Sequence, residues 1–429
     1  MFQVVLRSKT AEETAMDTFF KDVRTIGRMK RGSLGRYIIL YADQLHAQGY
    51  RRLSGRRKLQ LAADFCRWLT RKNIAAHQVL TRHAGDYFQC RKRSGFGLQL
   101  GDRAGVVGFL KLLREHRVTK ERLTQPPLTP CQKVLREYDL YLQKERSLSP
   151  ATRIGYAPFV RQFLVNRFGR GRVDLSRLQA LDVLKFVRRS AGQLKNKRVL
   201  LMTTALRSFL RFARYRGDLT LDLTGCVPPV ASWSLSTLPK ALPPAQVDQV
   251  LADARKRSSA VGRRDYAILL LLARLGLRGG EVCHLVLEDI DWENSRIAIR
   301  GKGGRVTQLP MPADVGKAIA AYLQHDRPRV SGNRRLFLRV RAPLAGFKDQ
   351  GSVGSVVKHA LQRAKIDSPR KGAHQFRHTL ASTMLQQGSS LSEIGELLRH
   401  RSPDTTAIYA KVDLRSLRTL ALPWPGGAS

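Results

Sequence analysis

The stretch HQFRHTLASTMLQQG, residues 374–388, places two histidines and an arginine in its first five positions and then settles into an apolar rhythm that predicts a helix. On a helix His374 and Arg377 stand three apart and His374 and His378 four apart, so all three can share one flank. Two imidazoles at that spacing suit a metal pair, but the residues between them are Gln, Phe and Arg. No carboxylate base is present, and a guanidinium beside a metal cation is unfavourable. A phosphate suits the flank better, because the Arg377 fork donates to two oxygens at once with an imidazole at its side.

Working outward, LLRHRSPDTTAIYAKV (397–412) sets His400 nine residues before Tyr409, with Pro403 restarting a short helix that presents the tyrosine. Taken alone, a tyrosine there also reads as a half-buried packing residue. Upstream, in LGLRGGEVCHL (275–285), Gly276 ends one helix and Arg278 opens the next, with Glu281 three residues on. An arginine at a helix N-terminus opposes the dipole. It either pairs with Glu281 as an ordinary ion pair or meets an anion together with the free amides. Between these stretches RIAIRGKGGRVTQLPM (296–311) alternates and turns at Gly-Lys-Gly-Gly, which predicts a hairpin with Lys302 at its tip. That lysine is either solvated or able to reach a ligand lying over the sheet.

The whole chain carries 77 Lys and Arg against 33 Asp and Glu in 429 residues, a formal net charge of +44. Its length predicts two or three domains. Hydrophobic residues at 43% are enough to build cores, so the positive charge sits on folded surfaces. Such a field calls for a polyanionic partner, most commonly nucleic acid, although an Arg-rich genome, a ribosome or a membrane surface would also account for it. Five cysteines without a C-x-x-C pair argue against a disulfide framework and a zinc ribbon and for a reducing cytoplasm. The N-terminus lacks a signal-peptide layout, and AILLLLA (267–273) is far too short to span a membrane.

Two proline-bearing stretches, TQPPLTP (124–130) and VPPVASWSLSTLPKALPP (227–244), divide the chain into three blocks. Residues 131–223 read as amphipathic helices, with Ser149 as an N-cap and Pro150 at a first helical position. Residues 1–125 look like a worn copy of that block, offset by about 95 residues: Leu53-Ser54 matches Leu148-Ser149, and Trp68-Leu69 matches Phe163-Leu164. Shared amphipathic pattern alone is the competing explanation. Residues 224–242 read as a linker, 243–413 as a mixed block, and 414–429 as a tail whose Leu414, Leu417, Leu420 and Leu422 form an apolar piece.

Arg278 with Glu281, Lys302 on a hairpin, His374-x-x-Arg377, His400 and Tyr409, in that order within one basic block, resemble the catalytic domain of tyrosine recombinases, the phage-integrase family. The resemblance implies a mainly α fold with a small antiparallel β-sheet: a SAM-like helical core-binding domain, with residues 1–125 as an additional DNA-binding module, and a mixed α+β catalytic domain. It implies site-specific cutting and rejoining of DNA through a 3′-phosphotyrosine at Tyr409, with no metal, nucleotide or other cofactor. Arg278, Arg377 and His400 would then hold the phosphate oxygens and Lys302 would protonate the leaving oxygen. His374 would accept the phenol proton, and Glu281 and His378 would support the site. The implied partners are double-stranded DNA carrying specific recombination sites, a tetramer of the chain itself, which can exchange the tail between subunits, and accessory or co-recombinase proteins. The implied setting is the prokaryotic cytoplasm, on the nucleoid, in the service of a mobile element. Two positions depart from the family pattern: Gly279-Gly280 follow Arg278, and Arg399 stands where the family often has Gly. A type IB topoisomerase-like enzyme and a catalytically silent architectural DNA-binding protein are the rival readings.

Overall fold

The computed structural model describes residues 15–119, 128–231, 238–239, 241–301, 304–330, 332–368 and 372–412. Lys302 and the tail 414–429 lie outside them. The described chain is mostly helical with one small antiparallel sheet, and it divides into two compact units, residues 122–236 and residues 1–121 together with 237–429.

The first block runs through α1 (Ala15–Phe19), α2 (Val23–Lys30), α3 (Gly35–Ala47), α4 (Arg52–Arg71), α5 (Thr81–Arg93) and α6 (Asp102–Glu115). Apolar residues three and four apart on α3, α4 and α6 face inward, so Ile38, Leu59, Phe65, Phe109 and Leu113 are buried in a core of their own. The middle block holds α7 (Pro130–Lys144), α8 (Pro150–Phe168), α9 (Ala180–Ala191) and α10 (Asn196–Tyr215) around a separate core that includes Tyr138, Phe163 and Phe209. The Ser149 side chain accepts from the Thr152 amide at 3.4 Å with Pro150 in the first turn, so α8 starts where the sequence places it.

The third block opens with α11 (Pro244–Arg255) and α12 (Ala260–Arg274). Ile268 to Leu272 on α12 are all at most 1% exposed, apolar on every side because neighbours surround the helix. After α13 (Gly279–His284) come β1 (Ile290–Asp291), β2 (Arg296–Arg300) and β3 (Val306–Pro310), paired antiparallel in that order with Ile297 opposite Leu309 and Arg300 opposite Val306. Ile297 and Ile299 point into the core, as the alternation requires. The block continues with α14 (Ala313–His325), α15 (Gln350–Arg363), α16 (His374–Gln386), α17 (Leu391–Leu397) and α18 (Pro403–Thr406), and a 3₁₀ turn over Ala407–Val412. Among the described residues no helix is long and apolar enough to cross a membrane.

Candidate active site

Arg278 is the N-cap of α13, and its site is organised by one carboxylate. Glu281 Oε2 accepts from the Arg278 amide at 2.8 Å, capping the helix, while Oε1 accepts from Arg278 Nη1 at 2.8 Å. Oε2 also accepts from Arg399 Nη2 at 3.0 Å, so the carboxylate joins two guanidiniums. Burial opposes its ionisation, but the Arg278 amide, Arg399 and the Arg278 side chain together hold the Glu281 carboxyl below the usual range. Gly279, at the helix start, is buried, and a Cβ there would lie 3.5 Å from Ala373 Cβ.

His400 is placed by the way α17 ends. Its amide donates to Gly395 O at 2.9 Å and the Arg399 amide to Glu396 O at 2.9 Å, the crossed pair of bonds of a Schellman motif. That motif needs a left-handed residue just past the helix, and Arg399 supplies it with φ +55°. An L side chain there costs about 1 kcal/mol relative to Gly. The guanidinium thus turned inward bonds Leu397 O at 3.0 Å as well as Glu281. One residue on, His400 Nδ1 lies 2.7 Å from Thr406 Oγ1, a contact with no sequence-local signal.

Arg377, on α16, is 3% exposed. Its Nη1 donates to Gly276 O at 2.6 Å and its Nη2 to Leu398 O, tying together the ends of α12 and α17. Gly276 has φ +56°, and a Cβ there would come within 2.7 Å of Leu398 Cδ2, so both conformation and space require glycine. Two of the five guanidinium N–H groups are thereby engaged and the fork keeps donors in reserve.

Tyr409 differs from the expectation of a presented tyrosine. The 3₁₀ turn buries it to 2% exposure against Ala381, Ile394 and Leu398. Its hydroxyl lies 3.0 Å from His378 Nδ1, the ring centroids being 5.7 Å apart. His374, expected beside the phenol, is instead exposed one turn back, with its ring centroid 6.4 Å from that of His378. The three-residue step from His374 to Arg377 is right for one flank. It is the fourth residue, His378, that the tyrosine turn packs against.

The electrostatics follow from three neighbouring arginines, two of which, Arg278 and Arg399, share the Glu281 carboxylate. Burial, then Arg278 and Arg399, push Arg377 down to about 9, so it stays charged at neutral pH. Burial followed by the Arg377, Arg278 and Arg399 cations pushes His400 down to about 4, and partial desolvation with the nearby Arg377 and Arg278 cations lowers His374. Burial raises Tyr409, with Arg377 and Arg278 opposing it. The cluster thus carries surplus positive charge beside histidines that resist protonation, an arrangement that favours an anion.

This state has a pH signature. A histidine with its folded pKa depressed takes up a proton more readily in the unfolded chain, so its stabilising effect is present above about pH 6.5 and is lost as pH falls towards 4. The DNA-free protein therefore loses melting temperature between pH 6.5 and 5, and His400→Gln loses less. Equal losses in thermal scans of the two proteins would show that the His400 ring is not a desolvated base.

Arg278, Arg399 and His400 line one cleft of about 840 Å³, together with Gly301, Arg305 and Thr307 of the hairpin. Tyr409, 2% exposed, is not among the residues that line it. Arg399 and Thr406 are the site residues not assigned from the sequence: Arg399 showed only as an unusual residue at a helix stop, and Thr406 gave no signal.

Comparison with known proteins fits this geometry. Residues 240–415 match the Phage integrase family and residues 135–217 match the Phage integrase N-terminal SAM-like domain. A Sinorhizobium fredii chain described as integrase/recombinase y4rA is 47% identical over 404 residues, which is 94% of this chain and 97% of that one. The tyrosine recombinase XerA of Thermococcus onnurineus is 33% identical over 286 residues, 66% of this chain and 93% of XerA. Among solved structures, the XerH site-specific recombinase bound to its palindromic difH substrate in a post-cleavage complex shares the fold at a TM-score of 0.56. The alignment has 20% identity and covers 68% of this chain and 87% of that one.

Proposed function

The chain belongs to the phage integrase family of tyrosine recombinases, and on that premise we propose that it cuts and rejoins duplex DNA at specific sites through Tyr409, without a metal, for the movement of a mobile element. The observation that supports this reading most is that Arg278 and His400 line one cleft with the Arg377 cation close enough to act on the His400 ring, a cluster whose surplus charge suits a scissile phosphodiester. In the step proposed, Tyr409 Oη attacks phosphorus and the bond from phosphorus to the 5′-oxygen breaks. The phenol proton passes to a histidine, and the leaving 5′-oxygen takes one from Lys302. Phosphotyrosine keeps the bond energy, so the 5′-hydroxyl of a second strand can attack it and return the proton to the tyrosine.

A phenol 2% exposed cannot reach a phosphate in the cleft, so the arrangement of Tyr409 with His378 is the resting one. On DNA the phenol leaves His378. His374, exposed and held neutral by its surroundings, is then the base on the accessible flank. In single-turnover cleavage His374→Gln should lose about 10²-fold or more, whereas His378→Gln should lose less than about tenfold, since it removes a resting contact. The reverse order would make His378 the proton acceptor. Glu281 and Arg399 position Arg278 in this scheme.

In the same reading four protomers work on two sites, with the tail 414–429 docking on a neighbour and accessory proteins setting direction, on the nucleoid of a prokaryotic cytoplasm. Incubation with EDTA and a synthetic Holliday junction tests the strand-exchange part. Resolution into recombinant duplexes is expected, and simple nicking and closing of one duplex would contradict it.

A further inference from the structure

The family matches leave residues 15–119 unassigned. This block and the middle one share an element order: α3, α4, a 3₁₀ turn at Ala76–Gln78, α5, α6 against α7, α8, a 3₁₀ turn at Leu175–Arg177, α9, α10. Their cores share several contacts. Tyr41 packs on Phe109 at 5.5 Å and Tyr138 on Phe209 at 5.4 Å, and each hydroxyl donates to a carbonyl of the last helix, Gly105 O and Ala205 O. Phe65 meets Tyr87 edge-on at 5.3 Å, as Phe163 meets Phe186 at 5.3 Å. The amide before α5 is capped by His83 and the one before α9 by Asp182. The structural partner of Phe163 is therefore Phe65, three residues before the Trp68 that the sequence pattern matched to it.

We propose that residues 15–119 are a second SAM-like unit and bind a duplex DNA backbone in an arginine-lined cleft between α2 and α4. The cleft, about 650 Å³, is lined by Arg28, Arg56, Arg57, Arg67 and Arg91 with one acid, Asp64. Arg67 and Arg91 share Asp64, and Arg57 is held by Asp102 through two bonds of 2.7 Å. Arg28 and Arg56 are exposed and, among the described residues, in no ion pair. On α4 the residues Arg56, Gln60, Asp64 and Arg67 fall in one row about 17 Å long, which spans about five nucleotide steps of a duplex strand.

The sister unit shows that the fold does not need this row. The equivalent exposed positions of α8 are Ile154, Pro158, Gln162 and Val165. The block also carries 22 Lys and Arg against 7 Asp and Glu over residues 15–119, so its field favours an anion of any length and the cleft gives that field a place to act. A second unit of this kind would lengthen the DNA grip beyond the core site.

The inference rests on the reading of the chain as a DNA strand-exchange enzyme, and its test separates the two. Full-length protein and the Arg28→Ala/Arg56→Ala double variant are titrated with a long duplex at salt from about 50 to 200 mM. Loss of two phosphate contacts lowers the salt slope by about 1.8, so the affinity deficit of the variant at the low end exceeds that at the high end about tenfold. Its footprint should shorten at one end of each site. An Arg82→Ala/Arg103→Ala control, outside the cleft, should match wild type. An unchanged slope and footprint in the double variant, or an equal change in the control, overturns the proposal. Adduct formation by wild type on a short nicked core duplex reports the parent reading separately, since the salt slope is read whether or not that adduct forms.

Discussion

On the proposed mechanism, Tyr409→Phe should bind DNA as wild type does and join no strands. The substitution removes one oxygen, the one that attacks phosphorus in the proposed step. The ring remains packed against Ala381, Ile394 and Leu398, so the local fold survives. The lost hydroxyl contact to His378, 3.0 Å long, is worth about 1 kcal/mol and a melting shift of about 2–4 °C. Filter binding and gel-shift constants within about twofold of wild type, with cleavage below detection, are the expected pair of results. Residual cleavage above background would mean that a different nucleophile, or water, attacks the phosphate.

Arg377→Ala has the second largest effect, and it acts on fold and chemistry together. The side chain joins Gly276 O to Leu398 O, and truncation leaves both carbonyls buried without it. Charge-assisted bonds of this kind contribute about 1.5–3 kcal/mol each, so the third block should melt several degrees lower. Catalysis should fall by about 10²–10³-fold or more from the loss of a preorganised donor to the transition-state oxygens. Arg377→Lys divides the two contributions. It keeps the charge but not the planar fork, so it should recover part of the melting temperature and little of the rate. Single-turnover cleavage by the lysine variant near wild-type speed would show that Arg377 is structural only.

Much of this site was legible because its signals are local. Gly276 stops a helix within its own turn, and Ser149-Pro150 starts one. The alternation over 296–300 and 306–310 marks two strands that pair antiparallel. These are properties of a few adjacent residues, and the structure keeps them. The order of Arg278, Arg377, His400 and Tyr409 carried the family for the same reason, since each is marked by its neighbours in sequence.

What the sequence could not carry is side-chain direction across the fold. Arg399 was visible as an arginine where a helix stop favours glycine, but its destination, Glu281, lies 118 residues away and depends on the backbone being left-handed there. His378 and Tyr409 are 31 residues apart, and only the packing of the 3₁₀ turn on α16 decides that the phenol meets His378 rather than His374. Thr406 reaches His400 because α17 and α18 fold back on each other. The offset of the repeat was off by three residues in the second helix for a related cause: hydrophobic pattern repeats every three or four positions, so a helix can be matched to its copy one turn out of register.

The most direct measurement is covalent trapping. Wild-type protein is incubated in EDTA with nicked duplex from the flanks of its own gene, resolved on a denaturing gel, and the protein–DNA band is digested and sequenced by mass. A 3′-linked adduct on the peptide containing Tyr409 is the expected result. A DNA-tight protein that forms no adduct, an adduct on another residue, or one that appears only when a divalent metal is restored would contradict strand transfer through Tyr409.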